Sequence, residues 1–170
     1  DGSRLQVGAL MARAQAMVAA GVDLFDVGGE STRPGASPVS TEDELARVVP
    51  VVRLLKKHFA VPVSVDTSNP QVIAAVAAEG ADLINDVRAL ARPGALAAAS
   101  QASLPVCLMH TPAEPSVMQL DPRYGDVVAE VRHFLLARAE VCLQAGIQPE
   151  QISLDPGFGF GKTLEHNIAL

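Results

Sequence analysis

Short apolar runs that favour β-strands alternate with longer helical patterns throughout the 170 residues of the chain. Strands are predicted at residues 24–27, 61–66, 83–86, 106–109 and 152–155. Helices are predicted at residues 7–20, 41–58, 71–79, 93–102 and 127–145. Strands joined by helices of this length need crossover connections, so the sheet should be parallel with helices packed on it. The predicted fold class is α/β.

Polar residues mark the C-terminal end of every predicted strand. They are Asp26, Asp66, Asn85 with Asp86, His110 and Asp155. A (β/α)8 barrel builds its active site from such residues on several strands, whereas an open doubly wound sheet gathers its ligand at one switch point. The spread over all the strand ends favours the barrel. Because a barrel has eight strands in about 250 residues, we predict a partial TIM barrel with about five of its eight parallel strands.

Both ends of the sequence are unusual for a complete barrel. The chain starts at Asp1 without a methionine or a signal-peptide pattern, and Asn167 to Leu170 are typical of the first turn of a helix. We therefore expect residues 1–170 to be one domain, truncated at both ends, from inside a longer protein. The capping-box pattern Thr41-Glu42-Asp43-Glu44 predicts Thr41 as the cap of the second helix.

Composition excludes several classes of protein. Hydrophobic residues make up 49% of the chain, enough for a core, which excludes a disordered segment. Thirteen basic and nineteen acidic residues give a net charge of -6, which argues against a nucleic-acid partner. Apolar stretches fall far short of the roughly 20 residues that span a bilayer. Two cysteines, Cys107 and Cys142, provide no disulfide framework and suit the cytoplasm.

The loop after the first strand has the chemistry of an anion site. Gly28 and Gly29 allow backbone amides to approach a ligand, while Thr32 and Arg33 offer a hydroxyl and a guanidinium fork. A surface loop with a solvated arginine explains the same residues, and spacing alone does not separate the two interpretations.

Asp66 ends an apolar strand and would lie inside the barrel mouth, where an unpaired carboxylate is costly. Ser68 or Asn69, just after it, could cap the next helix. Asn85 and Asp86 point to opposite faces of the sheet. We place Asn85 in the pocket, because its amide both donates and accepts, and expect Asp86 to pair outside with Arg88.

The segment from Gly157 to Thr163 ends like a phosphate-binding P-loop, but the position that must be glycine in that motif is Pro156. We instead place Asp155 at a strand end, where it could bind a flat ring packed by Phe160. Lys162 is interpreted as solvated. His110 could act as a base, although a structural role is the more common one.

Three polar groups, Asp66, Asn85 and Asp155, with the apolar side chains of Val87, Met109 and Phe160, describe a slot for a planar heterocycle rich in N–H donors. A carboxylate can accept two parallel N–H bonds from an amino-pyrimidinone edge. A pterin fits this description.

Four segments resemble the dihydropteroate synthase family. They are residues 26–35 (DVGGESTRPG), 64–68 (SVDTS), 84–86 (IND) and 154–162 (LDPGFGFGK). The resemblance implies condensation of 6-hydroxymethyl-7,8-dihydropterin pyrophosphate with 4-aminobenzoate to give 7,8-dihydropteroate and pyrophosphate, assisted by Mg²⁺. It also implies a cytoplasmic homodimer inhibited by sulfonamides, with small-molecule substrates as its partners and no nucleic acid or membrane.

The resemblance assigns roles to individual residues. Asp66, Asn85 and Asp155 match the pterin-binding positions, with Asp66 and Asp155 as catalytic residues, and Val87, Met109 and Phe160 match the apolar pterin contacts. Thr32 matches the contact to the pyrophosphate substrate, and Arg33 the loop that shapes the aminobenzoate site. Asp66 would stabilise the positive charge that grows as pyrophosphate leaves.

Two departures accompany the resemblance. The asparagine that holds Mg²⁺ and the late Lys, Arg and His residues of the family have no counterpart in residues 1–170, so we expect no metal ligand here and no activity from this segment alone. After His110 the family usually has Met-Gln-Gly, whereas Thr111 to Glu114 read TPAE. The alternative functions are a noncatalytic pterin-binding module and a methyltetrahydrofolate-binding methyltransferase domain.

Overall fold

Strands and helices alternate along the chain as the sequence predicts. The computed structural model describes residues 2–33, 37–114 and 117–170, with side chains from residue 7 onward. The elements are α1 (Gly2–Ala19), β1 (Phe25–Gly28), α2 (Thr41–His58), β2 (Val63–Asp66), α3 (Pro70–Ala78), β3 (Leu83–Asp86), α4 (Ala95–Ala102), β4 (Val106–Met109), α5 (Val127–Gln144), a 3-10 turn (Pro149–Gln151), β5 (Ile152–Asp155) and α6 (Leu164–Ala169). Within the described residues, no helix is both long and apolar enough to cross a bilayer.

The cap of α2 differs from the prediction by one residue. Ser40, not Thr41, is the N-cap, and its hydroxyl accepts a hydrogen bond from the Asp43 N–H at 3.1 Å. The hydroxyl of Thr41 instead accepts from the amide of Asn69 at 2.9 Å, and the buried carboxylate of Glu44 accepts from the same amide at 3.3 Å. The predicted capping box is wrong because Thr41 and Glu44 bind the loop after β2.

Other boundaries shift by a few residues. Strand β2 begins at Val63 instead of residue 61, and α4 begins at Ala95 instead of residue 93. Helix α6 begins at Leu164, before the Asn167 turn that the sequence indicated. Of the two cap candidates for α3, Asn69 is the cap, because its side chain accepts a hydrogen bond from the Gln71 N–H at 3.0 Å.

The sheet follows the order β1-β2-β3-β4-β5, and every neighbouring pair is parallel. Strands adjacent in sequence are therefore adjacent in space, with no reversal of order. Because βαβ crossovers are right-handed, this order places the connecting helices on one face of the sheet, as in a (β/α)8 barrel. A doubly wound sheet reverses its order and carries helices on both faces. The prediction of five strands of a partial barrel is confirmed.

The two faces of the sheet have different chemistry. The helix face packs into the main core through side chains with no exposed surface, namely Val63, Val65, Ile84, Val106 and Leu108. Because side chains alternate along a strand and paired residues of parallel strands share a face, the register defines the opposite, inner face. It carries Asp26, Ser64, Asp66, Leu83, Asn85, Cys107, Met109, Ser153 and Asp155. The polar strand-end residues thus share the face that the helices leave open.

Candidate active site

The strand register gathers the three predicted polar residues on the inner face. Asp66 on β2 is the direct partner of Asn85 on β3, and Gly28 on β1 is the partner of Asp66 on its other side. Asp155 on β5 is the partner of Met109 on β4. The carboxyl ends of these parallel strands form one rim, and Asp66, Asn85 and Asp155 all lie on its inner face.

Asp86 lies on the opposite, helix face, as side-chain alternation requires. Its fully buried carboxylate accepts hydrogen bonds from the Ser68 hydroxyl and from the N–H groups of Arg88 at 2.8 Å and Leu90 at 2.9 Å. The expected pairing with Arg88 is therefore wrong in its geometry, because the contact is made by the backbone amide and not by the guanidinium. Asp86 fixes the turn after β3 and leaves the inner face to Asn85.

Asp66 is a carboxylate in a poorly solvated and acidic environment. Gly28 borders it, and a Cβ at that position would make ordinary contact with the Asp66 side chain, 3.7 Å from Oδ2. The pKa of Asp66 is raised to about 7, mainly by burial and also by the charges of Asp26, Asp86 and Glu30, which Arg88 partly offsets. Near neutral pH the carboxyl is therefore partly protonated and partly ionised. A ligand that brings N–H donors or positive charge would favour the ionised form.

Cys107 shows that charges from both edges of the sheet reach the same part of the inner face. It is the register partner of Asn85 on β3 and of Ser153 on β5. Burial raises the pKa of its thiol to about 11, and both Asp155 and Asp26 contribute to the increase. Asp26 lies on β1 and Asp155 on β5, the two edge strands of the sheet. Both carboxylates therefore act on the inner face from opposite edges. The thiol itself stays protonated and unreactive.

Asp155 begins a loop that is fixed by hydrogen bonds. Its carboxylate accepts one from the Gly157 N–H at 2.7 Å, and its backbone carbonyl accepts one from the His110 N–H at 3.0 Å. The ammonium of Lys162 donates to the carbonyls of Gly157 and Phe160, both at 2.9 Å. Lys162 is only 4% exposed, so the interpretation of a solvated lysine is wrong. The ammonium group of Lys162 donates to backbone carbonyls that this tight loop turns inward.

Two glycines in this loop allow close contact with the loop after β4. Gly157 has φ +70° and lies against the His110 carbonyl, and Gly161 has φ +59° and lies against the ring of Pro112. A Cβ at either position would overlap those atoms. The glycine-rich segment therefore serves packing between two loops, in agreement with the absence of the P-loop spacing.

His110 has a structural position. It is 5% exposed and packs edge-on against Phe134 with ring centroids 5.0 Å apart. Its Nδ1 lies 3.1 Å from the Lys162 ammonium, which places an acceptor lone pair on that nitrogen. Burial and the charge of Lys162 lower the pKa of His110 to about 4. The imidazole is neutral at physiological pH and acts as a partner of Lys162.

The three predicted apolar contacts lie near the same rim. Val87 and Met109 are each 4% exposed, and Phe160 is half-buried. Met109 shares the inner face with Asp155, and its side chain lies against Gly157. Val87 and Met109 are buried outside the main core cluster beneath the helices. This separation is what apolar lining of an inner-face site requires.

The loop after β1 carries Thr32, which is half-buried, and Arg33, which is exposed. The N–H of Arg33 donates to the Ser31 hydroxyl at 3.4 Å. Pro34 and Gly35, the last two residues of the first motif, lie outside the described residues. Gly29 is packed against Glu44 and Val48 of α2, where a Cβ would come within 2.9 Å of both side chains. The loop therefore leaves the sheet closely supported by α2.

Two ionisable side chains near the site were missed by sequence reasoning. Arg88 contacts residues of three different loops, and Glu44 is 4% exposed with the Thr67 hydroxyl donating to it at 2.5 Å. Glu44 fits a helix-capping pattern and Arg88 follows a strand, so the local sequence carries no signal for the contacts that either side chain makes near the site. Asp26, a predicted strand-end group, shares the inner face with Asp66 because the register pairs Gly28 with Asp66.

The departure at Thr111 to Glu114 forms an ordered turn. The Thr111 hydroxyl donates to the Ala113 carbonyl at 2.7 Å, and the Glu114 carboxylate accepts from the Arg88 Nε at 2.8 Å.

A separate cavity of about 330 Å³ opens between α1 and β1, lined by Arg13, Asp26 and mainly apolar neighbours. Asp26 thus borders both this cavity and the inner face.

Comparison with known proteins identifies one family. Residues 1–170 match the family described as pterin binding enzyme. The dihydropteroate synthase of Escherichia coli strain K12 is 54% identical over 157 residues, which are 92% of this chain and 56% of that protein. The chain thus spans little more than half the length of the curated relatives that it matches.

Solved structures agree with this match. A Yersinia pestis dihydropteroate synthase in complex with a sulfonamide drug has a TM-score of 0.91 and 52% identity, covering 93% of this chain and 57% of that one. A Xanthomonas albilineans dihydropteroate synthase with 4-aminobenzoic acid has a TM-score of 0.89 and 48% identity, covering 95% of this chain and 57% of that one. At this identity the likeness extends beyond the fold to the family.

Proposed function

The chain belongs to the family of pterin-binding enzymes, and we propose that the protein is a dihydropteroate synthase of folate biosynthesis. The reaction joins 6-hydroxymethyl-7,8-dihydropterin pyrophosphate to 4-aminobenzoate and releases pyrophosphate. The observation that carries the proposal is the register that places Asp66, Asn85 and Asp155 on one inner face. Similarity to synthases at 54% and 52% identity supports the same activity.

In this proposal the three polar side chains bind the pterin edge. Asp155 and Asp66 accept N–H bonds from the ring, and Asn85 both donates and accepts. Val87, Met109 and Phe160 pack on the faces of the ring. The pKa of Asp66 is raised to about 7 because burial makes its ionised form costly. A ligand that donates N–H bonds to the carboxylate would stabilise the ionised form and offset this cost.

Asp66 also suits the chemical step. Departure of pyrophosphate breaks a carbon–oxygen bond and leaves positive charge on the pterin, and the arylamine nitrogen then bonds to that carbon and loses a proton. A buried carboxylate beside the ring stabilises this charge more strongly than it stabilises the neutral substrate, which is the differential binding that accelerates a reaction. No covalent nucleophile on the protein is needed.

Thr32 and Arg33 are proposed to bind the other reacting groups. The hydroxyl of half-buried Thr32 would contact the pyrophosphate, and the guanidinium of Arg33, which is exposed, would bind the aminobenzoate carboxylate. The Yersinia pestis dihydropteroate synthase, a similar protein of known structure, was solved in complex with a sulfonamide drug. We propose sulfonamides as inhibitors of this protein as well.

Mg²⁺ stays an expectation from the family. Within residues 2–33, 37–114 and 117–170, no three His, Cys, Asp or Glu side chains converge as a metal-binding group. No step above is routed through magnesium. A homodimer and a cytoplasmic location are further proposals, supported by the family and, for the location, by the free thiols of Cys107 and Cys142.

Pterin binding tests the proposal directly. Calorimetric titration of the protein with a pterin, with and without pyrophosphate, should show binding that Asp155→Asn weakens by about tenfold to a hundredfold, because one ionised acceptor is lost. Ser153→Ala, on the same strand and face, is the matched control and should bind as the wild type does. Unchanged affinity in Asp155→Asn would remove that residue from the site.

Activity distinguishes the enzyme from a binding module. The protein made from its complete reading frame should form dihydropteroate from both substrates, whereas residues 1–170 alone are expected to form none. Pterin binding without product formation by the complete protein would favour the noncatalytic module. Methyl transfer from methyltetrahydrofolate would favour the methyltransferase alternative.

A further inference from the structure

Arg88 lies at a junction between the strand-end loops. It follows β3, and its guanidinium donates to the Ser68 hydroxyl at 3.1 Å in the loop after β2. It contacts the Glu30 carboxylate at 3.4 Å in the loop after β1, and the Glu114 carboxylate at 2.8 Å in the loop after β4. One side chain therefore joins loops that follow the first four strands.

The surroundings of Arg88 differ from those of a surface ion pair. Its side chain is 11% exposed and that of Glu30 is 16% exposed. By contrast, the side chain of Arg53, which pairs with Glu79 between α2 and α3, is 64% exposed. A planar guanidinium has several donors in fixed directions, which allows Arg88 to serve three partners where the ammonium of lysine could not match the geometry. Exposed pairs contribute little. The Glu114 side chain is 61% exposed, so Glu30 is the carboxylate partner that Arg88 constrains most.

The position of Glu30 connects this junction to the substrates. Glu30 precedes Thr32 and Arg33, the residues proposed for pyrophosphate and aminobenzoate, and its other carboxylate oxygen accepts from the Val39 N–H at 3.4 Å. Glu30 thus joins the two ends of this loop to Arg88. Fixing Glu30 limits the positions that Thr32 and Arg33 can reach.

We propose that Arg88 is a positioning residue that holds the loop after β1 over the site and keeps the charge balance around Asp66. The inference rests on the proposed function, because it concerns the aminobenzoate and pyrophosphate positions of that site. Arg88 acts through Glu30, Ser68 and Glu114, and it is not itself a catalytic residue.

The charged groups that act on Asp66 give the proposal a pH signature. Asp26, Asp86 and Glu30 raise the pKa of Asp66, and Arg88 lowers it. Removal of Arg88 should therefore raise this pKa, so that tight pterin binding requires a higher pH. Removal of the Glu30 charge should lower it. The two partners of one ion pair thus have opposite pH effects, although both hold the same loop.

Steady-state kinetics and pterin titrations of the complete protein test this. In Arg88→Ala the KM for 4-aminobenzoate should rise by about tenfold, and the pH midpoint of pterin binding should move up. Arg88→Lys should restore the midpoint but not the KM. Glu30→Gln should raise the same KM while moving the midpoint down. Arg53→Ala is the matched control and should change neither quantity.

The outcomes separate this inference from the proposed function. If the wild type binds no pterin, the proposed function fails before Arg88 is considered. If the wild type binds and turns over, but both Arg88→Ala and Glu30→Gln change the KM by less than about twofold, the positioning role is contradicted. Midpoints that move in the same direction in these two variants would contradict the charge balance. Should Arg88→Ala fail to fold, Arg88→Lys and Glu30→Gln still decide both points.

Discussion

The loops that follow β5 and β1 form the same rim by different physical means. Residues 156–163, the β5 loop, are fixed by buried Lys162, by the close approach of Gly157 and Gly161 to the neighbouring loop, and by the Tyr124 hydroxyl, which donates to the Gly161 carbonyl at 2.9 Å. The described part of residues 29–40, the β1 loop, is held through Glu30 and by Arg47, which donates to the Gly29 carbonyl at 2.9 Å.

The difference between the two loops matches the different ligand groups that each is proposed to bind. The β5 loop follows Asp155, which is proposed to bind the pterin ring. A preorganised acceptor increases the affinity for a rigid ring, because less conformational entropy is lost on binding. The β1 loop carries Thr32 and Arg33 for groups that arrive and leave during the reaction. The β1 loop is held by the ion pair between Arg88 and Glu30, whereas the β5 loop is held by close packing and by donors to backbone carbonyls. Loss of a charged side chain should therefore affect the β1 loop, and loss of close packing the β5 loop.

Breaking the close packing of the β5 loop should have the largest effect. Gly161→Ala adds a Cβ against Pro112 at φ +59°, so strain and overlap together should lower the free energy of unfolding by about 3 kcal/mol or more. Gly159→Ala is the matched control, since φ is +79° with no atom within 4 Å of the added Cβ. It should cost only about 1 to 2 kcal/mol. Equal losses in urea unfolding would show that the loop contact is unimportant.

Removing the ammonium of Lys162 is the next largest perturbation. Lys162→Met leaves the Gly157 and Phe160 carbonyls without their donor, which should cost about 2 kcal/mol of unfolding free energy. The pKa of His110 should rise from about 4, because the nearby positive charge is gone. NMR titration of the imidazole measures this shift. Lys57→Met, an exposed change on α2, should alter neither quantity.

The sign of the pH dependence follows from His110. Its folded pKa, about 4, lies below the unfolded value of about 6.5. The unfolded chain therefore binds the proton first, and this stability is complete above about pH 6.5 and is lost as pH falls toward 4. In Lys162→Met the acid loss should become smaller. A His110 pKa that does not move would contradict the contact with Lys162.

A smaller perturbation tests the charge around Asp66. Asp26→Asn removes one of the charges that raise the pKa of Asp66 from its usual range to about 7. The pH midpoint of pterin binding should therefore move down, because the carboxylate forms more easily. Fluorescence titration across about pH 5 to 9 measures the midpoint. Asp23→Asn, an exposed change just before β1, is the control, and an unmoved midpoint in Asp26→Asn would separate Asp66 from the pH dependence.

The smallest effect is expected for the exposed side of the β1 loop. Arg33→Ala should change the free energy of unfolding by less than about 0.5 kcal/mol, since the side chain is exposed. It should still raise the KM for 4-aminobenzoate if Arg33 shapes that site. Urea unfolding and kinetics together test the contrast with Gly161→Ala. A stability loss comparable to that of Gly161→Ala would mean that the two loops are held alike.

Local patterns predict most of the fold. Strands β3, β4 and β5 occur at the predicted residues, because short apolar runs between helices carry an unambiguous signal. Alternation along β3 allows only one of Asn85 and Asp86 on the inner face, and the donor and acceptor of the Asn85 amide favoured Asn85, which the register places there. Whether Asp66, Asn85 and Asp155 bind a pterin stays a prediction, although the register places them on the same face.

Contacts between distant residues could not be predicted from the sequence. Lys162 meets His110 across 52 residues, and Arg88 meets Glu30 across 58. Glu44 was assigned to a capping box because the local pattern fits, yet the loop after β2, 23 residues away, competes for it. In each case tertiary packing decides the partner of a charged side chain. Such partners leave no periodic pattern in the sequence.

A structure of the protein with a bound pterin tests the central claim most directly. The ring should lie on the inner face, with its N–H groups donating to the carboxylates of Asp66 and Asp155 and its edge in contact with the Asn85 amide. A ring bound instead in the cavity of about 330 Å³ between α1 and β1, against Arg13 and away from Asn85 and Asp155, would contradict the account.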